Sequence, residues 1–315
     1  MKLCQFYLSD GQREADLALR RPRQARLGLV EGQYVVPVSL PSGQSTDNLD
    51  LPAYLEAVAD TQSETPRLDP ERYRPDEIFL APPVIRPCAF LDFYTFEQHV
   101  RTCRAKRGLG VVPEWYKVPA YYNSNTSALF GHGMKVPFPP EEDRLDFELE
   151  LACIIGKTCR NVAEPDADWV IAGYTILNDF SARSLQVQVM PIGLGPARGK
   201  DHGSALGPFL VTPDELPDVR NLNMRAYVNG ELWSEGNSGT SHYTFPQMIS
   251  FASRSRTLYP GDVLGSGTVG TGCGFEQDRF LHPGDRVRLE IDGLGALENE
   301  VCYEQPAAES SPGRR

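Results

Sequence analysis

The chain has 315 residues, 41% of them hydrophobic, enough for a sizeable core in one large domain or two smaller ones. With 42 acidic against 31 basic residues the net charge is −11, which disfavours a nucleic-acid partner gripped through its phosphates but leaves an anionic small substrate open. No apolar run approaches the roughly 20 residues of a membrane span, and MKLCQFYLSDGQ at the start carries no secretory h-region. A cytoplasmic protein without a membrane partner is expected. The seven cysteines (Cys4, Cys88, Cys103, Cys153, Cys159, Cys273 and Cys302) are odd in number and form no CxxC pair, which suits reduced thiols rather than a disulfide frame or a zinc–thiolate site.

In chain order, residues 1–80 read as a small N-terminal β domain. RLGLVEGQYVVPVSL (26–40) predicts a hairpin turning at Glu31-Gly32. LPAYLEAVAD (51–60) places Leu51, Tyr54, Leu55 and Val58 at helical spacing. The stiff PPVIRP (82–87) marks a boundary, and 84–305 then reads as a second, mostly β domain with a few helices. Within it, Thr95 with Gln98 and Thr244 with Gln247 resemble capping boxes, the second opening a helix to about Leu258. Gly108 suits a helix stop. VRLEI (287–291) alternates, with Val287, Leu289 and Ile291 on one face. The tail 306–315 is small and polar and is expected to be disordered. The fold class is mixed, β-rich α+β, with a mixed sheet or roll rather than a doubly wound sheet.

Three segments carry chemistry. In LDFELELACIIG (145–156), Glu148 and Glu150 project from one face of a strand, ahead of the apolar run Leu151–Ile155 in which Cys153 is a small core residue. A strand buried on both sides should not open with two carboxylates unless something neutralises them. The plain alternative is a strand whose first half is exposed. In AGYTILNDFSARSLQ (172–186), a strand ends at Asn178-Asp179 and a helix begins near Ser181. Asp179, Arg183 and Gln186 would then share a helix face, with capping plus a surface salt bridge as the alternative. In DFYTFEQHVRTCRAKRG (92–108), Asp92 and Tyr94 precede a helix whose first turn holds His99. A lone histidine is most often structural. Converging carboxylates would need a cation or protons, and an all-oxygen set suits Mg²⁺, Ca²⁺ or Mn²⁺ rather than Zn²⁺.

These motifs, together with GPARGKD (195–201) and GSGTVG (265–270), resemble the fumarylacetoacetate hydrolase family over about Cys88 to Tyr303. The resemblance implies a β-roll catalytic domain behind the small N-terminal β domain, and a homodimer. It implies a divalent cation, Mg²⁺ first with Ca²⁺ or Mn²⁺ as alternatives, held by Asp92, Glu148, Glu150 and Asp179, with Lys200 and Ser204 at an adjoining metal position. His99 would activate water with Glu276 orienting it, Lys200 would stabilise the developing oxyanion or enolate, and Tyr94, Tyr122, Arg183, Gln186 and Thr268 would contact substrate. Ser184 stands where the family usually has Asp, Met190 where a tyrosine is expected, and Arg107 is the nearest counterpart of an expected arginine. The pocket should therefore differ from that of a fumarylacetoacetase while the chemistry survives.

The implied activity is hydrolytic C–C cleavage of a small 1,3-dicarbonyl acid, of fumarylacetoacetate or acylpyruvate type. The runner-up is a metal-dependent lyase or isomerase (a 2-oxo acid decarboxylase, hydratase or tautomerase) on the same scaffold. A catalytically silent metal-binding or interaction protein is the third reading, opposed by the presence of both His99 and Lys200.

Overall fold

The computed structural model describes residues 1–9, 25–40, 49–59, 66–216 and 218–303. The tail expected to be disordered lies outside the described residues. No helix among the described residues is long and apolar enough to cross a membrane.

The N-terminal strand Lys2–Leu8 is the seam of the first layer. It pairs antiparallel with Arg26–Glu31, with Ile78–Ala81 and with Ser204–Val211. The 26–40 segment forms the expected hairpin, Glu31 opposite Tyr34, with Gly32 at φ +61° in the turn. Helix α1 (Leu51–Val58) begins where Asp50 accepts a hydrogen bond from Ala53 N at 2.9 Å, and it buries Leu51, Tyr54 and Leu55.

The central strand, Leu149–Ile155, is buried at all seven positions. It is flanked on one edge by Ile171–Asn178 and on the other by Val263–Gly265. Its two faces serve two cores. Leu149, Leu151, Cys153 and Ile155 share a cluster with Val287, Leu289 and Ile291 of the second sheet. Ala152 and Ile154 face the other way, toward Leu3, Leu27, Leu51 and Tyr54. A strand covered on both sides reads as a continuous apolar run, as this one does. Val263–Gly265 also pairs in parallel with Phe90–Phe93, which brings the Asp92 segment alongside.

The second sheet has five strands in the order Glu231–Asn237, Asn223–Val228, Arg286–Ile291, Gly295–Tyr303, Lys135–Phe138. The alternation expected in 287–291 is present, with Val287, Leu289 and Ile291 at most 2% exposed.

Three further helices complete the described set after α2 (Glu97–Ala105): α3 (Arg183–Val189), α4 (Phe245–Ala252) and α5 (Gly274–Gln277). The Thr244–Gln247 capping box forms reciprocally. Helix α4 ends at Ala252 rather than near Leu258, because the Ser253 hydroxyl is taken by Val162 N and Leu258 pairs in a strand with Cys159. The Thr95–Gln98 box does not form. Phe96 occupies the N-cap of α2, and the Thr95 hydroxyl instead donates to Ser266 O at 2.5 Å. Gly108 takes φ +71° just beyond the end of α2, as a stop requires.

Candidate active site

The three carboxylate segments converge. Asp92 (Phe90–Phe93), Glu150 (Leu149–Ile155) and Asp179, just past Ile171–Asn178, are at most 2% exposed, and each offers an oxygen within 4.8 Å of the other two. The first half of the strand is therefore buried, and the exposed-strand alternative falls. Register explains the convergence. Gly265 lies opposite Asp92, and a Cβ there would stand 2.4 Å from Asp92 Oδ1 and 3.1 Å from Glu150 Oε2. Only a glycine leaves room for both carboxylates.

Each carboxylate is held by named donors. Tyr122 OH reaches Asp92 Oδ2 at 2.9 Å and Asp179 Oδ2 at 2.5 Å. Ser204 Oγ donates to Asp179 Oδ1 at 2.8 Å. Gly267 N and Thr268 Oγ1 donate to the two oxygens of Glu150 at 3.0 and 3.1 Å. Asp92 Oδ1 is buried with no hydrogen-bond partner.

Charge balance tests whether a cation suits this trio. At an effective dielectric near 20, carboxylates this close repel by about 3 kcal/mol per pair. Burial, then the charge of Asp179, pushes Asp92 well above the usual carboxylate range, and burial, then Asp92, does the same to Glu150. The all-oxygen donor set, the orphaned Asp92 oxygen and the space left by Gly265 together fit a hard divalent cation.

Glu148 behaves differently. Its two oxygens are engaged by Arg183 Nη2 and Lys200 Nζ, at 2.7 and 2.6 Å. Burial opposes its charge, but Lys200 and Arg183 hold it well below the usual range. It is not one of the three carboxylates whose oxygens meet within 4.8 Å; its own oxygens face Arg183 and Lys200. Lys200 bridges Glu148 to the trio. Its buried ammonium donates to Glu148, to Asp179 and to Ser181 Oγ, and although burial opposes the charge, Asp179 and Glu148 raise its pKa. The protonated Nζ has no lone pair to offer, and it acts here as a counter-charge to Glu148 and Asp179.

Arg183 also departs from expectation. Helix α3 starts at Arg183 rather than near Ser181, because Ser181–Ala182 pairs with Leu145–Asp146. Arg183 consequently does not meet Asp179. It binds Asp146 through Nε and Nη2, at 2.9 and 2.7 Å, and Gln186 Oε1 through Nη1 at 3.2 Å. Asp146 is fully buried and also accepts from Gly274 N and Phe275 N, which fixes the start of α5. Asp146 joins the site from outside the expected residues, although Asp146, Glu148 and Glu150 alternate with Leu145, Phe147 and Leu149. That continued period of two was the available signal.

Helix α5 delivers Glu276 to His99. Oε1 lies 2.7 Å from His99 Nδ1, with both side chains at most 4% exposed. Burial opposes charge on the imidazole, while Cys273 and Glu276 lift its pKa above the ordinary histidine value. Tyr94 presents its ring edge-on to His99 at 5.5 Å. Two cysteines not singled out for this site, Cys103 and Cys273, also touch His99.

A cavity of about 330 Å³ opens over these groups. Tyr94, His99, Tyr122, Arg183, Gln186, Lys200 and Thr268 line it, with Asp92, Glu148 and Glu150 in its floor. Asp179 and Glu276 do not line it but contact Lys200 and His99, which do, and Ser204 bonds Asp179. Arg104, Arg107 and Met190 also face the space. A larger cavity of about 450 Å³, near Tyr174, Phe245 and Met248, contains none of the expected site residues.

The family model for the fumarylacetoacetate (FAA) hydrolase C-terminal domain matches residues 88–302. The chain belongs to the fumarylacetoacetate hydrolase family. Within that family it is 38% identical over 186 residues to the mitochondrial oxaloacetate tautomerase of Xenopus laevis, covering 59% of this chain and 58% of that one. It is 38% identical over 187 residues to the 2,4-didehydro-3-deoxy-L-rhamnonate hydrolase of Sphingomonas sp. (strain SKA58), covering 58% and 65%. The match thus spans less than two thirds of these relatives' own lengths. The fold resembles that of maleylpyruvate hydrolase from Sphingobium sp. SYK-6, solved with manganese(II) and pyruvate (TM-score 0.69, 24% identity, covering 97% of this chain and 100% of that one). The fumarylacetoacetate hydrolase family thus includes hydrolases and a tautomerase, so membership narrows the chemistry without choosing the reaction.

Proposed function

We propose that the chain is a divalent-metal-dependent hydrolase that cleaves a C–C bond in a small 1,3-dicarbonyl acid, of acylpyruvate or fumarylacetoacetate type. The observation that carries this reading is the buried His99–Glu276 pair beside three carboxylates and an ammonium, all behind one cavity. Asp92, Glu150 and Asp179 would hold the cation, with Mg²⁺ first and Ca²⁺ or Mn²⁺ as alternatives. When bound, such a cation polarises a carbonyl and neutralises developing negative charge. The manganese and pyruvate in the maleylpyruvate hydrolase structure support a divalent cation and a small 2-oxo acid at this site.

The chain's own groups then divide the work. In the neutral imidazole, the form present above its raised pKa, Glu276 holds the proton on His99 Nδ1 and leaves Nε2 with the lone pair that takes a proton from water. Lys200, fixed by Glu148, Asp179 and Ser181, faces the cavity as a preorganised positive charge for the oxyanion or enolate. Arg183 commits four of its five N–H donors to Asp146, Glu148 and Gln186, so the substrate's remote carboxylate is assigned mainly to Arg107 and Arg104, which also line the cavity. The reading includes residues 1–80 as a small N-terminal β domain ahead of a catalytic β-roll at 84–305, a homodimer and a cytoplasmic setting.

The tautomerase relative favours a second reading, isomerisation or decarboxylation of a 2-oxo acid, which needs enolate stabilisation but no activated water. His99→Ala separates the two. Hydrolysis should fall by about 10²- to 10⁴-fold with metal content unchanged. Full turnover by His99→Ala would remove water activation from the mechanism and favour the second reading.

A further inference from the structure

The proposed reaction uses His99 and Glu276 but gives no role to the two cysteines around them. Cys103 lies one turn after His99 on α2, and Cys273 is the residue before α5, three before Glu276. Cys103 Sγ is 3.6 Å from His99 Nδ1, and Cys273 Sγ is 3.9 Å from the same nitrogen and 3.7 Å from Glu276 Oε1. One ligand atom from each of the four residues fits within 4.8 Å of all the others. Zinc bonds of about 2.3 Å to sulfur and about 2.0 Å to nitrogen or oxygen set tetrahedral S-to-N or S-to-O edges at roughly 3.5 Å. These three sulfur edges already lie close to that value. The 2.7 Å His99–Glu276 contact must open, by roughly half an ångström on the same bond lengths.

We propose that His99, Cys103, Cys273 and Glu276 form a second metal site, distinct from the carboxylate trio, that takes Zn²⁺. The two sites select by softness: oxygen donors for Mg²⁺ or Mn²⁺, a two-sulfur, one-nitrogen, one-oxygen set for a thiophilic ion. Cys103 and His99 both line the cavity, which gives an entry path. Binding releases the two thiol protons, and the proton on His99 Nδ1 moves to Nε2 as Nδ1 becomes a ligand. The Nε2 lone pair is thereby lost, so Zn²⁺ is an inhibitor that excess Mg²⁺ does not displace. This inhibitory consequence rests on the proposed function; the site itself does not.

The test uses the full chain, metal-stripped and reduced with a non-thiol reductant, titrated with Co²⁺. One equivalent should give near-ultraviolet thiolate-to-cobalt charge transfer and the strong visible bands of a tetrahedral ion. One equivalent of Zn²⁺ should bleach them, and Mg²⁺ should not. Cys103→Ser and Cys273→Ser should each weaken Zn²⁺ binding at least tenfold, whereas Asp92→Asn should leave the cobalt spectrum unchanged. A wild-type spectrum without charge transfer, or one that survives both serine variants, would overturn the site, and the wild-type result stands even where a variant fails to fold. Zn²⁺ bound with hydrolysis intact would retain the site and contradict the role given to His99.

Discussion

Arg183 sits between two buried carboxylates, Asp146 and Glu148, the second of which also meets Lys200. Asp146 is fully buried, and burial raises its pKa even though Arg183 opposes the shift. A buried pair of this kind contributes little net stability when intact, but removing one partner strands the other charge. Asp146→Asn should lower stability by about 3 kcal/mol. It should also reduce activity, because Asp146 anchors both Arg183 and the first turn of α5, which carries Glu276. Urea unfolding checks the first effect and turnover the second. An unfolding midpoint equal to wild type would show that Asp146 does not hold this network.

Among the elements, local signals were legible where nothing nonlocal competed. The Glu31-Gly32 hairpin, α1 and the Thr244–Gln247 capping box all form within their own segments. Thr244→Ala should remove one half of that box and cost about 1 kcal/mol, read as a lower unfolding midpoint with an unchanged slope. No change would mean that tertiary packing of Phe245, Met248 and Ile249 alone defines α4. Thr95 and Gln98 carry a similar pattern and fail to cap, because Ser266 on another segment captures the threonine hydroxyl. Arg183 is the same lesson at the site. Helical spacing offered Asp179 as its partner, but the short pairing of Leu145–Asp146 with Ser181–Ala182 delays the helix and supplies Asp146 instead.

Across the whole molecule, the site exists because strands distant in sequence lie side by side: Phe90–Phe93, Leu149–Ile155, Ile171–Asn178 and Val263–Gly265. The residue types at the site were legible in the sequence, and their convergence was implied only by the family resemblance. What stayed hidden was pairwise: Glu148 drawn to Lys200 and Arg183, and the cysteines around His99. Long-range pairing also leaves a pH signature away from the site. His132 Nδ1 accepts from Glu298 N at 3.2 Å, and burial lowers its pKa, with Arg288 adding to the shift and Glu298 opposing it. The folded pKa is thus below the unfolded value, so this stability is present above about pH 6.5 and is lost as the pH falls through the folded pKa. His132→Gln should flatten the acid side of the stability–pH curve, measured by urea unfolding at several pH values. An unaltered curve would assign the acid side to other groups.

The central claim is best tested by incubating the metal-stripped chain with acylpyruvates, fumarylacetoacetate and oxaloacetate, with and without Mg²⁺ or Mn²⁺, and resolving products by mass. The expected result is metal-dependent gain of one water and two acid fragments. Release of carbon dioxide, or a product isomeric with its substrate, would contradict hydrolysis and move the chain to the lyase or isomerase branch of the family.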